Sequence, residues 1–322
     1  MRALHVEAFG DPKFLKVTDV PERTPGRGEV KIRVAGVGIG FFDGLLVKGE
    51  YQIKPPLPFV PGSSFAGVVA EVGEGVAHLQ AGDPVAGFAL LGALAETVTL
   101  NAMSCFPLPQ QIDLLDAANF FVAYATGLYG LRDCGRLQEG ETVLVLGGSG
   151  TTGSTAIEIA KAMGARVIAA ASTEAKRQRC EQAGADVTVD SSSDEWRKQV
   201  KAVMGRGVDV VYDPIGGDFT EQALRLMAPG GRHLIVGFVA GIAKIPSNLM
   251  LLKRCSVVGV NWGGETMENP AIVPSVIKQL VEWTLAGKLK TKPDHVYPLE
   301  KSGAAFASIF ERQSSGKIVI AP

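Results

Sequence analysis

The chain has little of what most special-purpose classes of protein require. Four cysteines occur in 322 residues, Cys105, Cys134, Cys180 and Cys255, and no two form a C-x-x-C pair. The four histidines, His5, His78, His233 and His295, are equally dispersed. Structural and catalytic zinc sites draw on closely spaced thiolates or Cys/His clusters, so no metal site is expected. Charge of one sign is also missing. The formal net charge is -1, and no basic excess is available for a polyanionic partner, so neither strong nucleic-acid binding nor adhesion to an anionic membrane is expected. No apolar run reaches the roughly 18 residues of a membrane span, and Met1-Arg2-Ala3-Leu4-His5 does not open a signal peptide. A cytoplasmic protein is expected. Internal repeats and low-complexity segments are absent as well.

What is present is apolar sequence in short, punctuated runs. Hydrophobic residues make up 46% and charged residues 20%, enough to bury a large core, and the length points to two domains. The first third reads as strands: Val30–Val34 alternates apolar and polar residues, and Phe65–Val72 and Thr97–Leu100 follow. Pro55-Pro56, Pro61-Gly62 and Gly82-Asp83-Pro84 separate them. This density of strands predicts a small barrel or curled sheet.

From about Asp116 the rhythm becomes βαβα. Strands are predicted at Thr142–Leu146, Arg166–Ala170, Val208–Tyr212, Leu234–Val236 and Val257–Val260. Helices are predicted at Thr152–Met163, Glu174–Ala183 and Phe219–Leu226. The alternation predicts a parallel sheet covered by helices on both faces. A helix over Pro274–Ala286, a strand near His295, a helix over Ser302–Ser315 and a last strand at Ile318–Ile320 complete the chain. That tail is too short to stand alone and is expected to return to the N-terminal domain.

Gly147-Gly148-Ser149-Gly150-Thr151-Thr152-Gly153 directly follows a predicted strand and opens a predicted helix. In that context the spacing of Gly147, Gly150 and Gly153 is a dinucleotide-binding fingerprint: a tight turn, a close approach to the pyrophosphate, and close packing of helix on strand. The helix N-terminus offers free N–H groups and partial positive charge to the phosphates. Ser149, Thr151 and Thr152 add hydroxyl donors. An NAD site places an acid at the end of the second strand to bind the ribose diol. Here that strand runs into Ala170-Ala171-Ser172, with Glu174 expected in the first helical turn and Lys176 and Arg177 next. A hydroxyl and two cations suit the 2′-phosphate of NADP better than a diol.

Several further stretches carry a family resemblance. They are Gly28–Val34, Leu57-Pro58-Phe59-Val60-Pro61-Gly62, Gly73-Glu74-Gly75-Val76, Ala81–Gly87, the phosphate loop, Val208–Asp218, Ser256–Gly263 and Ser315–Val319. In order and spacing the chain resembles the medium-chain dehydrogenase/reductase superfamily, in its zinc-independent, zeta-crystallin-like quinone oxidoreductase branch. The resemblance runs from Met1 to Ile320. It implies a Rossmann doubly wound parallel sheet domain plus a GroES-like β-rich catalytic domain. The boundaries expected are 1–122 for the N-terminal part of the catalytic domain, 123–262 for the NADP-binding domain, and 263–322 for the returning segment. It also implies cofactor and substrate in the cleft between domains, and a homodimer joined through the Rossmann sheet edge, here Val257–Val260.

The resemblance assigns roles as well. Thr126 matches a threonine near the nicotinamide, and Ser172 and Lys176 match 2′-phosphate contacts. Gly237-Phe238 matches the loop over the nicotinamide half. Asn248-Leu249 and Lys317 match residues lining the cofactor cleft. Asp43 and Tyr51 match active-site residues, although Asp43 before Gly44-Leu45-Leu46 also reads as a helix cap. Three positions depart from the branch: Gly40 stands where asparagine is usual, Ser64 where glutamate is usual, and Ser191 where tyrosine is often found. The activity implied is hydride transfer from NADP(H) to a quinone or an α,β-unsaturated carbonyl compound. Phe41, Phe42, Leu45 and Trp262 are candidates for an apolar acceptor site or for core. Two alternatives remain. One is an enoyl-thioester reductase using Lys48, Lys54, Lys253 and Arg254 toward an acyl-CoA. The other is an NADPH-binding protein with little turnover.

Overall fold

A computed structural model describes residues 1–322, which fold as two compact units. The first comprises Met1–Ala123, Ile277–Leu285 and Thr291–Pro322, and the second Tyr124–Val276 and Ala286–Lys290.

In the first unit, β1 (Arg2–His5) and β2 (Lys16–Asp19) form an antiparallel pair. The long β3 (Glu29–Ile39) leads into helix α1 (Phe41–Lys48). Then come β4 (Ser64–Val72), β5 (Pro84–Phe88), β6 (Thr97–Asn101), β7 (Cys105–Pro107) and the short α2 (Leu114–Ala117). β3 organises this sheet. One edge pairs with β4, while the other pairs with β6 over residues 29–33 and is free further on for the C-terminal strand. Two register shifts against β4, at Lys31/Ile32 and Val34/Gly36, bend it.

The second unit opens with α3 (Ala125–Leu128) and β8 (Thr142–Leu146). It continues through α4 (Thr151–Ala162), β9 (Arg166–Ala171), α5 (Glu174–Ala183), β10 (Val187–Asp190), α6 (Trp196–Val203), β11 (Val208–Asp213), α7 (Asp218–Leu224), β12 (Met227–Ile235), α8 (Ser247–Lys253), β13 (Ser256–Gly259) and α9 (Trp262–Glu268). Six strands pair in the order β10-β9-β8-β11-β12-β13, all in parallel. This is the doubly wound order, which reverses between β8 and β11. Val143, Leu144, Val145, Val210, Val211 and Tyr212 are fully buried. Each such aliphatic side chain contributes roughly 1.5–3 kcal/mol, which explains why these strands read as unbroken apolar runs.

Helix α10 (Val273–Leu285) follows, then β14 (His295–Pro298), α11 (Ser302–Phe310) and β15 (Ile318–Ala321). β15 pairs antiparallel with β3 and parallel with β14, so the first unit's sheet runs β14-β15-β3-β4-β5-β7, with β6 also on β3.

Some expected elements differ in the structure. The helix from Ser302 stops at Phe310 rather than Ser315, because Arg312 has a φ of 57° in the left-handed region, which ends an α-helix. Residues 263–276 and 286–290 lie in the second unit rather than in the segment returning to the first. Tyr129 stacks near Trp262 with ring centres 5.5 Å apart, its hydroxyl donates to Glu265 at 3.0 Å, and the Lys290 amide donates to Glu158 at 2.9 Å. No helix is long and apolar enough to cross a membrane.

Candidate cofactor and acceptor sites

The phosphate loop sits at the C-terminal end of β8. Gly147 has a φ of 59°, and a Cβ there would lie 2.5 Å from Ile215 Cδ1. A Cβ on Gly153 would run into the carbonyl oxygen of Gly147 and stand 2.8 Å from Gly148 Cα, so α4 packs directly on the turn. Gly148 is constrained too: a Cβ would meet Ala169 and Cys180 at 3.0 Å, a requirement not assigned from the sequence. Gly150 is different. It caps α4 at an ordinary φ of -75°, and a Cβ would have only Gly147 O at 3.6 Å. Three glycines therefore hold the loop's shape and one leaves its face open. Such a cradle fits a pyrophosphate. The first turn of α4 carries no acidic side chain to compete for the helix dipole. Ser149 is buried and Thr151 and Thr152 are half-buried. Ser154 and Thr155 turn their hydroxyls back to the carbonyls of Thr151 and Thr152.

At the end of β9, Ser172 is exposed and no carboxylate occupies its position. Thr173 caps α5 by accepting from the Lys176 amide at 3.3 Å, and Glu174 lies in the first turn. Lys176 is half-buried. Arg177, the second expected cation, is drawn between two acids, Glu174 Oε2 at 2.7 Å and Asp190 Oδ1 at 3.4 Å. Ser191 donates its amide to Ala171 O at 3.1 Å, so the strand-end position that often carries tyrosine lies beside the end of β9.

Farther along the same sheet edge, Gly237 and Phe238 follow β12, and the Phe238 side chain is 48% exposed. Thr126 is half-buried in α3, and Asn248 is exposed in the first turn of α8. One feature of this edge was missed in the sequence: Asp213, at the end of β11, is fully buried and bonded to its own following turn and to the loop after β12. An acid closing a buried strand before Pro214-Ile215-Gly216-Gly217 was the available signal.

In the first unit, Asp43 is the third residue of α1 and is 1% exposed; its Oδ2 accepts from the Gly40 amide at 2.9 Å. The N-cap of α1 is Gly40 rather than Asp43, because the helix begins at Phe41; Asp43 sits inside the first turn and binds back to the cap's amide. Burial pushes its carboxyl up to about 6, with the Gly40 amide and the Ser63 hydroxyl pulling the other way. Its Oδ1 has no hydrogen-bond partner. Tyr51 meets Phe42 edge to face with ring centres 4.7 Å apart, and partial burial raises its hydroxyl. Phe41 packs on Phe310 with ring centres at 4.7 Å. A side chain added at Gly40 would have open space. Ser64 is buried, donating to Ala118 O at 2.7 Å and accepting from the Phe121 amide. Lys317 is wholly buried beside β15, and its amide donates to Asp294 at 2.7 Å. No three His, Cys, Asp or Glu side chains form a group able to hold a metal ion.

Comparison with known proteins agrees with this arrangement. Residues 26–110 match the alcohol dehydrogenase GroES-like domain, and residues 151–281 match the family described as zinc-binding dehydrogenase. The chain is 36% identical over 309 residues to rat quinone oxidoreductase-like protein 2, covering 95% of this chain and 88% of that one. The solved structure of Escherichia coli quinone oxidoreductase complexed with NADPH superposes with a TM-score of 0.91 at 26% identity, covering 100% of both chains. The CurK enoyl reductase superposes with a TM-score of 0.88 at 27% identity, over 99% of this chain and 98% of that one. With its parallel six-stranded sheet, its glycine cradle and its GroES-like unit, the chain belongs to the quinone oxidoreductase group of the medium-chain dehydrogenase/reductase family.

Proposed function

We propose that the chain is an NADPH-dependent reductase that acts on a quinone or an α,β-unsaturated carbonyl compound without zinc. The observation that carries this reading is the pairing of the open glycine cradle with a β9 end that presents Ser172 and Lys176 in place of an acid. In this reading Gly147, Gly150 and Gly153 with the α4 N-terminus hold the pyrophosphate, helped by Ser149, Thr151 and Thr152. Ser172 and Lys176 hold the 2′-phosphate. Thr126, Gly237, Phe238 and Asn248 border the nicotinamide half, and Lys317 is a further cofactor-binding residue. NADPH supplies the hydride equivalent when bound, so the protein's work is orientation and exclusion of water. Tyr51, kept protonated by burial, is the proton donor to the reduced acceptor. Asp43 fixes the start of α1 through the Gly40 amide. Zinc-free chemistry is supported by the wide dispersal of the four cysteines and four histidines along the sequence.

Turnover of NADPH against a panel of quinones and enones tests the proposal. Oxidation by at least one class supports it, and tight binding without oxidation by any of them rejects it. The likeness to the CurK enoyl reductase favours one second reading, reduction of an enoyl thioester. Of the four cations that would meet an acyl-CoA, Lys48 lies over the Phe310 ring at 4.5 Å and the Lys253 ammonium donates to Met227 O, leaving Lys54 and Arg254 exposed. Oxidation of NADPH by an enoyl-CoA but by no quinone would select that reading.

We also propose a homodimer through β13. The support is that β13 ends the sheet without an outer partner and that Leu251 and Leu252, just before it, are 79% and 73% exposed. Sedimentation of the full chain checks it; a monomer at micromolar concentration would reject it.

A further inference from the structure

Asp213 has hydrogen-bond partners on both carboxylate oxygens. Its Oδ1 accepts from the amides of Ile215 at 2.9 Å and Gly216 at 2.8 Å. Its Oδ2 accepts from Thr220 Oγ1 at 2.6 Å and faces His233 Nε2, on the adjacent β12, at 2.9 Å. Asp213, Thr220 and His233 are all 1% exposed or less. Burial alone would raise the Asp213 carboxyl, but the bond to His233 and its charge, with Thr220 and Gly216, outweigh that and hold it below the usual range. It is therefore an ionised, acceptor-only group with a donor at every side, and His233 must carry its proton on Nε2. The trio is not a hydrolytic triad. The carboxylate lies at its centre, and the Thr220 hydroxyl is committed to it and sealed from solvent.

The main chain of the same residue reaches the next loop. Asp213 O accepts from the amides of Val236 at 2.9 Å and Gly237 at 3.3 Å. The turn that Asp213 closes then locks onto the loop beyond β12: Gly217 N donates to Gly241 O at 2.8 Å, and Ala240 N donates to Ile215 O at 2.7 Å. Gly216 and Gly217 have φ of 73° and 57°, and a Cβ on either would stand 2.5–2.6 Å from a carbonyl oxygen of Gly241 or Ala240. On its other side Ile215 fills the space beside Gly147 of the phosphate loop. The Asp213 carboxylate thus shapes the turn after β11, the Asp213 carbonyl holds the loop beyond β12, and Ile215 in that turn packs beside the phosphate loop of β8, so the three loops meet through one residue and its turn at the edge where doubly wound sheets bind ligands.

We propose that Asp213, held by Thr220 and His233, is a positioning residue that sets the Gly237–Phe238 loop against the nicotinamide half of the cofactor. The inference rests on the reading of that loop given under the proposed function. It adds that the chain aligns the reacting end of the cofactor separately from gripping its phosphate end, which lies near β9 and α5.

The test uses the full chain and the variants Asp213→Asn, Thr220→Val and Thr220→Ser. Four quantities are read: thermal stability, the emission of bound NADPH, the affinity for adenosine 2′,5′-bisphosphate (which carries only the phosphate end), and kcat with the best acceptor. Asp213→Asn removes the charge and puts an NH2 donor where Oδ2 faced Thr220 and His233, which can meet it only if the hydroxyl turns and the imidazole proton moves to Nδ1. It should leave bisphosphate affinity within about 2-fold, abolish the change in nicotinamide emission on binding, and lower kcat on the order of 10²-fold, the scale expected for a misplacement near 1 Å. Thr220→Val should show the same split at about 10-fold, and Thr220→Ser should restore it. Should Asp213→Asn not fold, the Thr220 pair decides alone. Folded variants with unchanged emission and kcat, or an equal loss of both ligands, would overturn the proposal. Phe238→Ala separates the two levels: unchanged NADPH emission in that variant refutes the loop's role at the nicotinamide whatever Asp213 does. Absence of turnover in the unaltered chain refutes the reductase reading while the emission arm still tests Asp213.

Discussion

In the second unit the proposed cofactor face is made largely of main chain: Gly147, Gly148 and Gly153 shaped by steric necessity, Gly150 left open, and the N-terminus of α4 behind it. In the first unit the candidate reacting groups are side chains with structural duties of their own. Asp43 binds the Gly40 amide at the cap of α1, Tyr51 packs on Phe42, and Phe41 packs on Phe310. The contrast teaches that a phosphate cradle is specified by backbone geometry, which short glycine spacings encode. Acceptor chemistry depends instead on which side chains remain available after packing.

The sharpest way to break the cradle is Gly153→Ala. Its methyl group collides with backbone, so Tm should fall by roughly 2–8 °C and NADPH affinity by more than about 10²-fold. The control is Gly150→Ala, where space exists for the methyl: Tm should stay within about 2 °C while affinity falls at least 10-fold, because the pyrophosphate's approach is blocked. Equal Tm losses in the two variants would contradict the division into shaping and approach glycines.

The next largest effect concerns Asp43. Its folded carboxyl is raised from 3.8 to about 6. As pH rises through that window the unfolded chain releases its proton first, so the native state binds more protons and stability declines. The decline amounts to about 3 kcal/mol by pH 7. Asp43→Asn should remove it, so that the variant loses less stability than the parent between pH 4 and 7 in urea melts at both pH values. An unchanged slope would mean that Asp43 is better solvated than its burial implies.

Smaller effects discriminate within the cofactor site and the acceptor site. Lys176→Ala should lower NADPH affinity about 10-fold and leave NADH within about 2-fold, since a charged contact to phosphate is worth roughly 1.5–3 kcal/mol. Equal losses would move the 2′-phosphate away from α5. Tyr51→Phe should leave Tm nearly unchanged and lower kcat by about 10-fold or more if the hydroxyl donates the proton. No change in kcat would assign that proton to water.

Legibility in the sequence follows the same physical divide. β8, the glycine loop, α4, β9 and α5 were readable because a buried parallel strand is an unbroken apolar run and a phosphate turn needs glycines at fixed spacing. β10 (Val187–Asp190) and α6 (Trp196–Val203) were not anticipated. A four-residue edge strand, half polar, carries almost no periodicity, and the helix follows three serines and spans only eight residues, its apolar face being just Trp196, Val200 and Val203. A helix beside Asp43 was legible but not its start at Phe41, nor the reason for Gly44, whose missing side chain makes room for the Phe310 ring, a contact 266 positions away. Arg177 was readable as a cation, but its pairing with Asp190 depends on β10 lying beside β9. Asp213 stood in plain sight as an acid closing a strand, yet its partners Thr220 and His233 are brought to it only by the packing of α7 and β12.

The most direct test of the central claim is the ratio of kcat/KM for NADPH to that for NADH, measured on the unaltered chain with its best quinone or enone acceptor. Turnover with both cofactors is expected, with a ratio above about 10 that reflects one charged contact to the 2′-phosphate. A ratio near or below 1 would contradict the reading of Ser172 and Lys176, and an absence of oxidation with either cofactor would contradict the reductase itself.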